Sequence, residues 1–115
     1  MRVEEFNRIV EETLGKCRIL LDVKEKDYSG DIDRLEQFKI GAALEEHSPQ
    51  ESLRGMMTKH VTSVYSYIKK SARGEKISIE QWDKKLLDNI NYLILLRALM
   101  IEINSAVEDT NGRNR

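Results

Sequence analysis

SIEQWDKKLLDNINYLILLRALMIEI, residues 78–103, is the stretch on which the fold turns. Ser78 is followed three places on by Gln81, a capping box in which the serine hydroxyl accepts from the fourth residue's N–H and the glutamine reaches back to the first. Behind it Leu86, Leu87, Ile90, Leu93, Leu96, Met100 and Ile103 recur at spacings of three and four, the period of a buried helix face. The middle of the segment is apolar nearly all round, so it reads as the central helix of an all-α, four-helix bundle-like domain. Ile94, Leu95, Leu99 and Ile101 fall off the main stripe and need a second covering surface. A homo-oligomer in which this helix meets a partner supplies one.

Upstream, Ser48-Pro49-Gln50-Glu51 is another capping box, with proline at the first helical position. The helix it opens carries Leu53, Met57, Val61, Val64 and Ile68 on one face and is predicted to stop near Arg73-Gly74, where glycine supplies a C-terminal stop. A shorter helix before it carries Leu35, Phe38 and Ala42. The first helix is predicted to run to about Val23, burying Val3, Phe6, Val10, Thr13, Cys17 and Leu20, widened by Ile9, Leu14 and Leu21. Lys24 to Ile32 breaks the pattern and reads as a loop in which Gly30 is free to take a positive φ. Residues 1–104 form one domain in this reading, and the polar residues 105–115 a flexible tail.

Composition narrows the function classes. A chain of 115 residues has room for one core and no second catalytic module. Its 19 basic and 20 acidic residues are interspersed, which argues against a nucleic-acid polymer or a membrane surface as partner. One cysteine, Cys17, allows no internal disulfide and fits a reducing, cytoplasmic setting. The charged start of the chain carries no apolar signal core, and the longest apolar run, Tyr92 to Leu96, is far short of a membrane span.

Two places hold polar residues that packing alone does not demand. Asp27, Ser29, Asp31 and Asp33 alternate like a calcium loop, but the sixth and twelfth positions are Ile32 and Phe38 in place of glycine and glutamate, so an EF-hand is rejected. A helix-capping turn by Asp31 or Asp33 accounts for the aspartates without accounting for Lys24 and Lys26 before them. Those two, with Lys39, Lys59 and His60, are the cations best placed to meet a phosphate. The second place is Asp88, Asn91 and Tyr92, which share one helix face. An ionised Asp88 in an apolar helix needs a lysine, a metal ion or a ligand donor; Lys59 or Lys84 is the structural alternative, with Asn91 bonding between helices.

In order along the chain, Lys24, Asp27, Tyr28, Gly30, Gln37, Phe38, Leu86, Leu87, Asp88, Asn91 and Tyr92 resemble the nucleotide-modification-associated helical domain found largely in phages, itself similar to the MazG-like all-α nucleotide pyrophosphohydrolases. The resemblance covers about residues 20–103 and implies a MazG-like fold with a nucleotide ligand. The MazG-like pattern of paired carboxylates is interrupted here: Lys85 stands where a glutamate would precede Asp88, and no Glu-x-x-Glu occurs on the third helix. The resemblance, with its carboxylates interrupted, implies a non-catalytic protein with no metal or other cofactor. Such a protein sequesters a nucleotide or a nucleotide-derived, even cyclic, immune signal in an anti-defence role within the bacterial host's cytoplasm. Its expected ligand-binding set is Lys24, Lys26, Asp27, Tyr28, Gly30, Lys59, His60, Asp88, Asn91 and Tyr92. Two alternatives stand beside it: a magnesium-dependent pyrophosphohydrolase using Asp27, Asp31, Asp83 and Asp88, and a structural or partner-binding bundle.

Overall fold

The computed structural model describes the backbone of residues 1–28 and 33–113 and the side chains of residues 1–24 and 33–107. Four helices make up this part of the chain: α1 (Val3–Tyr28), α2 (Glu36–Glu45), α3 (Pro49–Ala72) and α4 (Ile79–Arg113). The bundle is all-α, as the periodicity predicts. Both capping boxes form. Ser48 Oγ accepts from Glu51 N at 3.2 Å while Glu51 Oε1 accepts from Ser48 N at 3.1 Å, and Ser78 and Gln81 repeat the exchange at 3.1 and 3.1 Å. α3 ends where Gly74 takes φ +91°, a left-handed conformation that an L side chain adopts only under strain.

The core sits at one end, where Leu35, Phe38, Leu53, Leu95 and Leu99 are buried and Leu21, Met56, Met57, Tyr92, Leu96 and Ile103 pack around them. α2 comes close to α3 at Gly41, where an added Cβ would stand 2.8 Å from Ser52 Oγ. α3 and α4 run antiparallel, with Tyr67 edge-on to Trp82 and the Asn89 amide donating to the His60 carbonyl at 3.1 Å. α1 lies across α4, matching Lys16 to Asp83, Cys17 to Asn91 and Lys24 to Asp88.

Helix ends and helix faces depart from expectation in several places. α1 continues through Lys24 to Tyr28 instead of stopping at Val23, so Lys24 is a helical residue. Lysine and glutamate are good helix formers, and polarity alone does not break a helix. For the same reason α4 runs past residue 104 to Arg113, with no proline in its path. On α4 the buried positions are Leu87, Asn91, Leu95 and Leu99, a stripe at spacing four, while Leu86, Leu93 and Met100 are exposed. Leu95 and Leu99, expected to need a partner's cover, are in the core. A helix apolar on all sides has no preferred face by periodicity; contact with Phe38 and Leu53 selects one. Among the described side chains of α1 only Cys17 is fully buried, and Val3, Phe6, Val10 and Leu14 face solvent because nothing in the described chain lies over the helix's first half. Val61 and Ile68 of α3 are likewise exposed. By length and composition, α4 is long and apolar enough over Ile79–Val107 to cross a membrane, more than its longest uninterrupted apolar run implied.

Candidate functional site

Where the four helices converge, a cavity of about 360 Å³ opens between them. α1 contributes Leu21 and Lys24, the turn into α2 contributes Arg34, and α2 adds Gln37. Met56 and His60 come from α3, and Asp88, Asn91, Tyr92 and Leu95 from α4. The wall mixes charged and amide side chains with apolar ones, unlike the purely apolar core beside it. Five residues singled out in the sequence therefore share one chamber: Lys24, His60, Asp88, Asn91 and Tyr92.

Their arrangement follows from local structure. Asp88, Asn91 and Tyr92 are three and four apart, so the turns of α4 stack them on one face. Extension of α1 to Tyr28 brings Lys24 alongside, and its Nζ lies 2.9 Å from Asp88 Oδ1. The partner of Asp88 is thus Lys24 rather than Lys59 or Lys84. His60 Nδ1 is 3.8 Å from Asp88 Oδ2, an ion pair only when the imidazole is protonated, and the His60 ring lies 4.8 Å from the Tyr92 ring at a tilt of 43°. Asp88, its side chain mostly buried, accepts from Lys24 on the cavity wall with His60 nearby.

Asn91 is the most constrained member. Only 3% exposed, it donates through Nδ2 to the Cys17 carbonyl of α1 at 3.2 Å. That bond sets the orientation of the amide, and its Oδ1 has no hydrogen-bond partner among the described residues. A buried acceptor without a donor costs about 1–3 kcal/mol. Asn91 lines the cavity while its Oδ1 is itself closed to solvent, so a ligand donor reaches that acceptor only where neighbouring side chains give way. Cys17 itself behaves as a core residue: burial pushes its thiol above the ordinary range, away from the thiolate.

Arg34 belongs to the site without any mark in the sequence. Its guanidinium reaches the Leu21 carbonyl at 3.5 Å across the α1–α2 junction, which turns the side chain inward. Nothing in the spacing of Asp33-Arg34-Leu35 singles it out, because the direction of the Arg34 side chain depends on its contact with α1. Asp33 accepts from Leu35 N at 2.9 Å and from Lys39 Nζ at 2.7 Å. The Lys39 ammonium and that backbone N–H hold the Asp33 carboxyl below its usual range. Lys39 is therefore committed to Asp33, and to Glu102, and its ammonium is raised in turn.

Not every expected residue joins the chamber. Lys59 is on an exposed face of α3 and is not part of the cavity wall. The side chains of Lys26, Asp27 and Tyr28, and Gly30 and Asp31 entirely, lie outside the described residues. Asp83 pairs with Lys16 at 3.0 Å, nearer the start of α4 than Asp88. Among the described residues no three His, Cys, Asp or Glu side chains gather closely enough to hold a metal ion. Compared with protein-family models, with curated proteins and with solved structures, the chain matches none.

Proposed function

We propose that this protein binds a nucleotide or nucleotide-derived small molecule in the four-helix cavity and holds it without turnover. The observation that carries the reading is a polar chamber lined by Asn91, whose buried Oδ1 has no hydrogen-bond partner among the described residues. A carbonyl acceptor of that kind recognises an amino, imino or hydroxyl donor, groups that a nucleobase and a ribose both present. Lys24 and Arg34 bring positive charge for phosphate to the same wall, the arginine with a planar fork suited to two phosphate oxygens, and His60 adds an imidazole. The tilted His60–Tyr92 pair offers an aromatic surface against which a base packs.

Size narrows the ligand. Small-molecule pockets run from about 300 to 1,000 Å³, and a chamber of about 360 Å³ is at the small end. This favours a single nucleotide unit over a dinucleotide. Sequestration is preferred to hydrolysis because Asp88, the one carboxylate on the described cavity wall, is engaged by Lys24. The phage and MazG-like likeness belongs to this proposal too: Gln37, Asp88, Asn91 and Tyr92, which carry part of it, all line the chamber. A host-cytoplasmic, anti-defence role rests on that likeness alone.

The deciding experiment is a thermal-shift panel of mono-, di- and cyclic nucleotides with and without magnesium, followed by chromatography of the recovered ligand. A stabilising mononucleotide recovered intact is the expected result, and binding should survive excess chelator. Recovery as monophosphate and pyrophosphate in magnesium would assign the alternative pyrophosphohydrolase chemistry, and no shift with any nucleotide would leave a partner-binding bundle.

A further inference from the structure

Away from the nucleotide chamber, a second and larger opening of about 620 Å³ runs between α1, α3 and α4 at the end of the bundle opposite the core. Its floor and rims are apolar: Ile9 from α1, Val61 and Tyr65 from α3, and Ile79, Leu86 and Leu93 from α4. All six are exposed, Tyr65 and Ile79 to 69% each. The charges at its edge are already neutralised within the chain, Lys16 pairing with Glu12 at 3.2 Å and with Asp83 at 3.0 Å. Val3 and Phe6 continue the apolar stripe along α1 toward the N-terminus. Three helices surround an apolar opening that no part of the described chain fills.

We infer that the occupant is a second copy of this chain, docked face to face so that each protomer closes the other's groove. The measure of the protomer argues for this. A folded monomer of 13.4 kDa exposes about 6,500 Å², yet this chain exposes 9019 Å². A radius of gyration of about 13 Å is ordinary for 115 residues, and this one is 17.7 Å with extents of 58 × 34 × 27 Å. The surplus of about 2,500 Å² per protomer exceeds the roughly 800 Å² per partner that a standard interface buries, so the chain has exposed surface enough to form one. A two-fold interface is self-complementary, and an apolar groove beside an apolar helix face provides both halves of such a contact on one surface. A lipid surface is the competing occupant, given the length and hydropathy of α4. Against it, α4 carries Asp83, Asp88 and Glu102, each tied by a lysine of another helix to the bundle.

Sedimentation of the full chain between about 1 and 100 µM tests the inference, together with the concentration dependence of its melting temperature. The expected mass is twice that of the chain, with a melting temperature that rises with concentration because folding and association are coupled. Leu93→Glu should shift the mass to that of one chain, or abolish folding at concentrations where the parent is folded; Leu44→Glu, at an exposed apolar residue outside the groove, should leave the dimer intact. A parent chain that stays helical at the single-chain mass throughout the range, or a Leu93→Glu variant with unchanged mass, overturns the inference. So does flotation of the parent with phosphatidylcholine vesicles.

Discussion

Asn91 separates stability from function more sharply than any other side chain here. Its amide is buried and half satisfied, so in the empty protein it contributes one hydrogen bond and suffers one unmet acceptor. Replacing it with leucine removes both while keeping the number and branching of side-chain heavy atoms, and we predict that Asn91→Leu changes unfolding free energy by less than about 1 kcal/mol in a denaturant titration. Under the proposed function the same variant should weaken nucleotide affinity by at least about tenfold in calorimetry, since a ligand donor would then face an apolar group. Equal affinity in parent and variant would remove Asn91 from the site. Asp88→Asn is the companion variant: it keeps the shape of the side chain while withdrawing the charge that Lys24 meets at 2.9 Å, and so frees that lysine for phosphate. Tighter binding of the phosphorylated ligand is the expected sign, measured against the unphosphorylated nucleoside as control.

Among the elements, α3 depends most visibly on its first turn. Ser48 and Glu51 each satisfy a backbone N–H of the other, and the Ser48 N–H, with the Ser48 hydroxyl beside it, holds the Glu51 carboxyl below its ordinary range. A carboxyl whose pKa is lower folded than unfolded stabilises above the unfolded value of about 4.5 and loses that contribution as pH falls through the folded one. Asp33, lowered by Lys39 and by the Leu35 N–H, behaves in the same way at the entry to α2. Stability should therefore decline on the acid side, with little dependence from these two groups above about pH 6. Ser48→Ala should cost about 1 kcal/mol at neutral pH and flatten part of the acid limb, read from melting temperatures between about pH 3 and 7. An unchanged acid limb would mean that the Ser48 hydroxyl contributes nothing to the Glu51 carboxylate in solution.

For the whole molecule, the chamber's position matters more than its volume. Each of the four helices, or the turn leading into it, supplies wall residues, so a ligand that binds there ties together elements that otherwise meet mainly through α3 and α4. A ligand at a hundred times its dissociation constant adds about 2.7 kcal/mol to the stability of the folded state. Hydrogen exchange should accordingly show added protection in all four helices, not in α4 alone. Protection confined to the first half of α1 and the second half of α3 would instead locate the ligand in the apolar groove.

Helix starts were legible in the chain because they are written in neighbouring residues. Ser48 with Glu51, Ser78 with Gln81, and Gly74 at a helix stop satisfy or release backbone groups within a few positions, whatever the rest of the molecule does. The grouping of Asp88, Asn91 and Tyr92 is equally local, a matter of helical spacing. Only the tertiary structure decided that Leu95 and Leu99 face the core while Leu93 does not, since an all-apolar helix turns whichever side meets Phe38 and Leu53. It also chose Lys24 as the partner of Asp88, brought Arg34 to the chamber, and left the first half of α1 uncovered. Those outcomes depend on contacts between residues far apart in sequence, and no periodicity within one helix encodes which distant surface it will meet.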